Sequence, residues 1–296
     1  MKKFLSLILI IAFFVAGAAV ARGEEVYHDY VGFLARLQTT PEEFFNMMKK
    51  AWATSGWTII GGDHSTSQAK FYDSLVLMQM ALSAGEIEEM ILPDFVAEYI
   101  VKNNPDYSIC CVSNSGRMSL AFGFLKKNNE LAYKWNAALL SMRNDFTMSN
   151  LIQKYIKAPL EKNDPSYEYI YGGKKLKEKN PYEVKFQEFK GAPVIRVAVT
   201  GDLPPIDFFT PDGMPAGYST AILAEIGKRL KLNIRLVPVT TVARTAALVS
   251  NRVDVVFWYE VGKNFDYQYD APKDVILSEP YYSWDTFLHI RFKDGD

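Results

Sequence analysis

The feature that most constrains this chain is a pattern of residues that it contains twice. "ALSAGEIEEMIL" occupies residues 81–92, "ALVSNRVDVVFW" occupies residues 247–258, and the two align without a gap. Each copy reads as the end of a helix, a Gly or Asn, an acidic residue and then a buried strand. Gly85 and Asn251 stand at the same place, and Gly and Asn most readily adopt the left-handed conformation that ends a helix. The repeat therefore predicts two similar α/β units in one chain.

The first residues are typical of a secretory signal peptide. Lys2 and Lys3 precede an apolar run over residues 4–15, and Ala-Val-Ala at residues 19–21 is a cleavage site of the A-x-A type. We expect residues 1–21 to be removed on export, so that the protein is periplasmic or extracellular. The alternative is a retained membrane anchor, for which the run is shorter than the roughly 20 residues of a spanning helix.

Composition and charge exclude several classes of partner. The chain of 296 residues has a net charge of −1, and nothing in it indicates a surface for nucleic acid or for an anionic membrane. Apolar residues make up 49% of the chain and aromatic residues 14%, which suits a well-packed protein of two domains. The two cysteines, Cys110 and Cys111, are adjacent. We expect free thiols there, and a strained vicinal disulfide is the alternative.

The order of predicted elements divides the chain into segments. Residues 22–56 read as an N-terminal helical segment, and residues 57–157 read as an α/β lobe that contains the first copy of the repeat. Residues 158–192 hold three prolines and many charges, which predicts a linker, and residues 193–296 form a second α/β lobe. Alternating strands and helices predict a mostly parallel sheet with flanking helices in each lobe. The ligand site is expected in the cleft between the lobes.

The second lobe carries a resemblance to a known family. It begins with "IRVAVTGDLPPIDFFTPDGMPAGYSTAILAEIGKRLKLNIRLVPV" and continues with "AALVSNRVDVVFW" and "ILSEPYYSWDTFLHIR". These stretches resemble the opening of bacterial extracellular solute-binding proteins of family 3, which are type 2 periplasmic binding proteins. In the first lobe, "SLAFGFLKKNNELAYKWNAALLSMRNDFTMSNLIQKYI" resembles the family's other lobe. The resemblance covers roughly residues 69–157 and 193–292, and it implies a two-lobe, Venus-flytrap architecture of the α/β class.

The order of the two lobes departs from that family. There the chain opens with the lobe that here occupies residues 193–292, whereas in this chain the other lobe comes first. The difference indicates a circular permutation, with residues 158–192 as the new joint. Such a rearrangement is tolerated where the chain termini lie near each other at the surface.

The family's clamp for an amino acid does not carry over to this sequence. In the amino-acid binders that this chain resembles, an Arg in a Thr-x-x-Arg segment holds the ligand carboxylate. Here "YEVGKNFDYQYDAPKD" has no Arg and offers Lys263 as the nearby cation, and Ser219 replaces the family's usual Asp at a helix start. Where the other lobe often has an Asp for the ligand amine, this chain has Pro93, followed by Asp94. The resemblance therefore does not imply a free α-amino acid as the ligand.

The remaining candidates for ligand contact are aromatic, acidic or cationic side chains. Aromatic faces and carboxylates together suit a cationic or ring-bearing ligand. The candidates for the cleft are Asp202, Asp207 and Phe208 in the Pro-Pro loop, Trp258, Tyr259 and Glu260 after the central strand, and Asp94 and Arg117 in the first lobe. Each has a structural alternative: Phe208 could lie in the core, Asp207 could bond only to its own loop, and Arg117 could be a surface charge.

The resemblance also implies a function. A protein of this family captures a small polar ligand, here amino-acid-like, amine-bearing or aromatic, between its lobes and delivers it to a membrane ABC permease. We expect a monomer without a cofactor. We also expect no metal site, because His28, His64 and His289 are scattered along the sequence. One alternative is a non-transport sensor or structural relative of the fold. Another is a dehydratase-type enzyme that uses Glu260 or Glu279 as general acid or base, although no second catalytic group accompanies either in the sequence.

Overall fold

The computed structural model describes residues 30–35, 39–54, 67–161, 183–210, 213–262 and 271–293. The predicted signal peptide, Lys263 and most of the predicted linker lie outside the described residues. Within the described part of the chain, no helix combines the length and the apolar character needed to cross a membrane.

Strands and helices alternate along most of the chain. The strands are β1 (Tyr30–Leu34), β2 (Gln68–Tyr72), β3 (Glu89–Pro93), β4 (Tyr107–Leu125), β5 (Val194–Val199), β6 (Asp202–Leu203), β7 (Asp207–Phe209), β8 (Pro215–Ala216), β9 (Asn233–Pro238), β10 (Val255–Val261), β11 (Val275–Leu277) and β12 (Tyr282–Phe292). The α-helices are α1 (Pro41–Thr54), α2 (Leu75–Ser83), α3 (Asp94–Asn103), α4 (Asn129–Asn144), α5 (Thr147–Ile152), α6 (Ala158–Glu161), α7 (Tyr218–Leu230) and α8 (Arg244–Val249).

The two ends of the main sheet have the same strand order. Its strands run β2-β1-β3-β12-β4-β10-β5-β9, with β11 beside β4, and β6, β7 and β8 form a small second sheet. At one end the parallel strands β2, β1 and β3 meet the antiparallel β12, and at the other β9, β5 and β10 meet the antiparallel β4. The fold is therefore α/β with two similar units, as the sequence predicted.

The register of these strands follows the repeat in the sequence. Val31 of β1 pairs with Glu89 of β3, and Val197 of β5 pairs with Val255 of β10. In both pairs the two partners are separated by the same number of residues in the sequence. The residue before each partner strand also makes the same bond. The Glu88 amide donates to the Tyr30 carbonyl and the Asp254 amide to the Arg196 carbonyl, both at 2.8 Å. The repeat thus includes β1 and β5, which the aligned residues 81–92 and 247–258 do not reach.

One expectation differs from the structure, because the strands form one continuous hydrogen-bonded path instead of two separate sheets. The reason is the length of β4, with 19 residues, and of β12, with 11 residues, which run side by side through both units. The first part of β4 pairs with β12 near Phe292, and its last part pairs with β10 and β11. These two strands therefore connect the units.

The segment at residues 22–56, expected to be helical, contributes a strand as well as a helix. β1 is buried along most of its length and pairs with both β2 and β3, and α1 follows it. The five residues "YVGFL" are buried on both faces, so they lack the polar–apolar alternation by which a strand is recognised. β1 and α1 are thus the first strand and the first helix of the first unit, and they lie before residues 57–157.

Helices α4 and α5 precede the predicted linker but pack with the second unit. Arg229 of α7 donates to the Asp145 carboxylate at 2.7 Å and to the Thr147 hydroxyl at 2.9 Å. Hydrogen bonds from Thr147 and Arg229 lower the pKa of the Asp145 carboxyl to about 2. Trp135 of α4 packs on β4 against the rings of Phe122 and Phe124, at 5.6 and 5.5 Å between ring centres.

Candidate functional site

A small cavity lies at the junction of the two units. Its volume is about 20 Å³, which is room for about one water molecule. The first unit contributes Leu34, Pro93, Phe95 and Val96, the second contributes Leu203, Ile206, Trp258 and Glu260, and the connecting strands β4 and β12 contribute Leu120 and Trp284.

The ends of equivalent strands position these residues. Leu34 and Pro93 end β1 and β3 in the first unit, and Trp258 and Glu260 belong to the last half of β10 in the second. Leu203 is the last residue of β6, the short strand that follows β5. The strands of the two units run in opposite directions, because β3 is antiparallel to β12, β12 to β4 and β4 to β10. The carboxyl ends of β1 and β3 therefore point toward that of β10, and these side chains meet outside the carboxyl ends of the strands, where α/β proteins bind ligands.

The cavity combines apolar walls with a few polar groups. Of the described residues that line it, Glu260 carries the ionisable side chain, and it is buried. The indole nitrogens of Trp258 and Trp284 are also buried and have no hydrogen-bond acceptor among the residues that the structure describes. Buried polar groups of this kind need a partner. The walls therefore offer apolar surface, the Glu260 carboxyl and two indole donors, around a space that in this state has room for about one water molecule.

The buried side chain of Arg244 packs against the ring of Trp258. Its guanidinium carbon lies 4.0 Å from the centre of the Trp258 ring and 5.6 Å from that of Tyr259, within the range of cation–π attraction. The pairing of β10 with β4 shifts register between Val256 and Tyr259, and Trp258 lies in this irregular stretch. Sequence reasoning did not select Arg244, because an Arg at the start of a helix ordinarily faces solvent.

Of the candidates after the central strand, Trp258 and Glu260 line the cavity, whereas Tyr259 does not. The Tyr259 ring lies over Gly123 of β4, where an added Cβ would come within 2.1 Å of the ring. Its hydroxyl is hydrogen-bonded to the Thr245 hydroxyl of α8 at 2.8 Å. Tyr259 therefore joins β10 to β4 and α8.

Asp207 and Phe208 lie in β7 and do not line the cavity, although Asp207 follows Ile206 and pairs with Leu203, which do. The Asp207 carboxylate accepts hydrogen bonds from the Gly201 amide at 2.7 Å and from the Thr220 hydroxyl at 3.3 Å. Burial raises the pKa of the Asp207 carboxyl to about 6, against the lowering effect of these bonds. Phe208 is buried and pairs with Asp202 and with Ala216 in the small sheet. Both residues shape the loop region beside the cavity.

Asp202 lies where the two units touch. Its carboxylate accepts a hydrogen bond from the Leu75 amide at the start of α2, and burial raises its pKa, with a further contribution from the charge of Asp73. Asp73 of the first unit in turn accepts from the Val242 amide of the second unit at 3.1 Å. The two carboxylates therefore form reciprocal bonds that hold the units together.

The two candidates of the first lobe lie outside the cavity. Asp94 is the first residue of α3, and its carboxylate accepts from the Phe95 amide at 2.7 Å. Burial raises the pKa of the Asp94 carboxyl to about 6. Arg117 lines a second, larger groove of about 610 Å³, together with Arg143 and Glu279.

The larger groove lies on the other face of the connecting strands. Ser119 and Ser283 line this groove, whereas their neighbours Leu120 and Trp284 line the cavity, and consecutive residues of a strand point to opposite faces. Glu260 and Glu279 thus belong to different sites. The structure does not bring them together as an acid–base pair.

A buried set of side chains in the first unit has the connectivity of a hydrolase triad. Ser113 and His289 are joined at 2.9 Å through Nε2, and His289 and Glu89 at 2.8 Å through Nδ1. All three residues are buried, and Ser113 is only 2% exposed. A substrate cannot reach this hydroxyl without the sheet opening, so the set acts as a structural hydrogen-bond network.

Comparison with known proteins gives a family for part of the chain. Residues 195–290 match the family model of bacterial extracellular solute-binding proteins, family 3. This stretch covers β5 to β12 and includes Trp258 and Glu260. No curated protein matches the chain significantly by sequence.

Three solved structures are similar over most of the chain. The ligand-binding component of an ABC-type import system from Staphylococcus aureus, with zinc bound, has 11% identity and a TM-score of 0.41, over 89% of this chain and 65% of that one. An ABC transporter from Parabacteroides distasonis has 12% identity and a TM-score of 0.35, over 90% and 66%. The GluR0 ligand-binding core in complex with L-glutamate has 10% identity and a TM-score of 0.41, over 92% and 87%. The chain spans slightly less than two thirds of the first two.

Proposed function

We propose, from the match of residues 195–290 to the extracellular solute-binding family, that this chain binds a small molecule between its two units and delivers it to a membrane ABC permease. Proteins of this family are extracellular, so the proposal places the protein in the periplasm or outside the cell. A monomer without a cofactor is expected, and nucleic acid is not an expected partner.

One observation carries the proposal: the cavity at the junction is lined from both units at the carboxyl ends of their strands. A ligand there contacts both units at once, so its binding energy favours the state in which they are together. The same residues lie far from each other once the units separate. This is the arrangement that a protein needs if it is to close on a solute.

The polar groups of the cavity favour one class of ligand. Glu260 suits an ammonium or another cationic group, and the rings of Trp258 and Trp284 suit an apolar or aromatic body. The two indole N–H groups suit an acceptor atom on the ligand. We therefore propose an amine-bearing ligand with an apolar or aromatic part, and not an anionic one.

The size of the cavity implies that the units move. A space of about 20 Å³ holds no more than one water molecule, so a solute enters only after the units separate. The long strands β4 and β12 pass between the units and are the natural hinge. We propose an open state that admits the ligand and a closed state close to the one described.

The permuted lobe order belongs to the same proposal. The matched residues 195–290 include β5, β9 and β10 of the second unit. In the family that this stretch resembles, the corresponding lobe comes first. Because the two units have the same strand order, exchanging their order along the chain leaves the architecture intact. Residues 158–192 are then the joint between the family's original ends.

The test is a titration of tryptophan fluorescence with the purified protein, unfolded and refolded to remove carried ligand. The panel contains amines, aromatic amines, aromatic acids, amino acids and short peptides. We expect an amine-bearing compound to change the fluorescence of Trp258 and Trp284 saturably. Glu260→Gln should then weaken binding about tenfold or more, since it removes a buried charge that faces the cation.

Glu279→Gln is the matched control, because Glu279 lines the larger groove on the other face of the connecting strands. It should bind with wild-type affinity. If Glu279→Gln weakened binding while Glu260→Gln did not, the site would be the larger groove. If the aromatic acids bound and the amines did not, the assigned ligand class would be wrong.

The tightness of the cavity favours a second candidate. Leu34, Phe95, Leu203 and Ile206 already fill much of the space between the units. A relative of the fold that no longer binds a solute, and serves as a structural or sensory partner of another protein, would retain such a filled junction. This candidate predicts no response to any compound of the panel.

A further inference from the structure

An irregular pairing in the first unit brings the two cysteines to the same side of the sheet. Cys111 of β4 pairs with His289 of β12, but the next pair along is Ile109 with Ile290. Cys110 is therefore the extra residue of a β-bulge. In a regular strand the side chains of neighbouring residues point to opposite faces, and a bulge removes that separation.

The bulge places both sulfurs beside a carboxylate. The Sγ atoms of Cys110 and Cys111 and a carboxylate oxygen of Glu89 all lie within 4.8 Å of one another. Both cysteines are free, and Glu89 and Cys111 are buried whereas Cys110 is partly exposed. An ion can thus reach the group from the side of Cys110.

The neighbours of Glu89 hold its carboxylate in place. Arg291 donates to one oxygen through Nε at 2.9 Å and also through Nη2. His289 meets the other oxygen through Nδ1 at 2.8 Å. These bonds fix the carboxylate beside the two sulfurs.

We propose that Cys110, Cys111 and Glu89 form a binding site for a zinc ion. Two thiolates and one carboxylate are a donor set that Zn²⁺ accepts, and three protein ligands leave a fourth position for a solvent molecule on the exposed side. With Zn–S bonds of about 2.3 Å and Zn–O bonds of about 2.0–2.2 Å, tetrahedral ligand atoms lie roughly 3.5–3.8 Å apart. Since the three atoms lie within 4.8 Å of one another, they need to approach by at most about 1 Å to reach this geometry.

The charges of the group balance when the ion binds. Zn²⁺ is bound by thiolates, so each thiol gives up its proton when the ion binds. Binding of Zn²⁺ releases the two protons to solvent and leaves two thiolates, one carboxylate and the Arg291 cation around a doubly charged ion. The sum of these charges is zero, which suits a buried site.

The experiment uses the purified protein, freed of metal with a chelator and kept reduced with a phosphine. Co²⁺ is the probe, because cobalt bound to thiolates absorbs by charge transfer and cobalt in water does not. We expect one Co²⁺ per chain with this absorption, and its loss when Zn²⁺ is added. Cys110→Ala and Cys111→Ser should each weaken Co²⁺ binding by at least tenfold and reduce the absorption.

Ser113→Ala is the matched control, since Ser113 contacts His289 but is not one of the three ligands. It should bind Co²⁺ as the wild-type protein does. Cys110 is partly exposed, so Cys110→Ala keeps the test valid even if Cys111→Ser fails to fold. Lack of the absorption in the reduced wild-type protein would overturn the site, as would full absorption in Cys110→Ala. A Cys110–Cys111 disulfide that resists the reductant would overturn it too.

Discussion

Trp258 joins the proposed ligand cavity to the buried guanidinium of Arg244. It is 2% exposed, and the guanidinium carbon of Arg244 lies 4.0 Å from the centre of its ring. A cation as deeply buried as Arg244 is costly unless its surroundings stabilise it, and the face of an indole is the best aromatic partner for a cation. Trp258 is thus needed for packing as well as for the proposed binding.

This double role gives a prediction for two substitutions. Trp258→Ala should lower the free energy of unfolding by about 3–5 kcal/mol, because it empties a large buried volume and removes the ring from Arg244. Trp258→Phe keeps an aromatic face and should cost clearly less. Urea denaturation measures both. Equal losses would mean that the ring face does not stabilise Arg244.

Asp207 gives a second prediction, because its carboxyl has a pKa of about 6 in the folded protein against 3.8 as its ordinary value. Below pH 4 the group is protonated in both states and costs nothing. Between pH 4 and pH 6 the unfolded chain loses the proton first, so stability falls as the pH rises. The loss at neutral pH is roughly 3 kcal/mol for this shift.

Asp207→Asn should therefore flatten the decline in unfolding free energy between pH 4 and pH 6.5. Asp106→Asn, at an exposed position, is the control and should retain the wild-type slope. Denaturation series at several pH values provide the comparison. An Asp207→Asn protein with the same slope as wild type would contradict the assignment of the pKa to this carboxyl.

The sequence predicted some of these residues and missed others. Trp258 and Glu260 were selected from the sequence because they follow the central strand, and both line the cavity. Arg244 and Trp284 were not selected. The burial of Arg244 depends on a register shift between β10 and β4, and the side on which Trp284 lies depends on a shift between β12 and β4. Such shifts arise from pairing between distant parts of the chain and leave no local pattern.

Helices α2 and α8 end in the same way at equivalent positions. Gly85 and Asn251 have positive φ angles of 72° and 58°. An added Cβ at Gly85 would meet no atom within 4 Å, so its conformation, and not crowding, calls for glycine. The left-handed cap predicted from the repeat is confirmed in both units.

Substitution at these caps should show the cost of the left-handed conformation. Gly85→Ala and Asn251→Ala should each lower the unfolding free energy by about 1 kcal/mol, whereas Gly85→Asn should cost less than Gly85→Ala. Thermal or urea denaturation resolves this difference. Glu86→Ala, at an exposed neighbouring position, is the control and should be nearly neutral. A Gly85→Ala protein as stable as wild type would contradict the account.

At the scale of elements the sequence predicted the repeated helix–strand unit but not the length of β4. "YSICCV" and "MSLAFGF" read as two strands, because the "SNSG" between them is rich in turn-forming residues. In the structure β4 continues through this stretch, and its pairing with β12 shifts register there. The partner strand decides whether such a stretch turns or continues, and local sequence does not contain that information.

The two units of the whole molecule are held together by reciprocal hydrogen bonds. The Asp202 carboxylate accepts from the Leu75 amide, and the Asp73 carboxylate accepts from the Val242 amide. Each bond connects a carboxylate of one unit to a helical turn of the other. Together they favour the state in which the units touch and the cavity is small, which is the proposed closed state.

Asp73→Ala should therefore shift the ligand-free protein toward the open state. A charged hydrogen bond contributes about 1.5–3 kcal/mol, which is roughly tenfold or more in the ratio of closed to open molecules. The radius of gyration from small-angle X-ray scattering should increase. Ser74→Ala is the control, because the Ser74 hydroxyl accepts from the Leu77 amide and so caps α2 within its own unit. An unchanged radius in Asp73→Ala would argue against this bond as a latch.

The central claim is that the molecule closes on a small solute, and a thermal-shift screen of the refolded protein tests it most directly. The panel contains amines, aromatic amines, amino acids, short peptides and aromatic acids. A ligand at 100 times its dissociation constant adds about 2.7 kcal/mol to the unfolding free energy, which raises the melting temperature by roughly 5–10 °C. We predict such a rise with an amine-bearing compound. No rise with any compound of the panel would contradict solute binding and favour a structural or sensory relative of the fold.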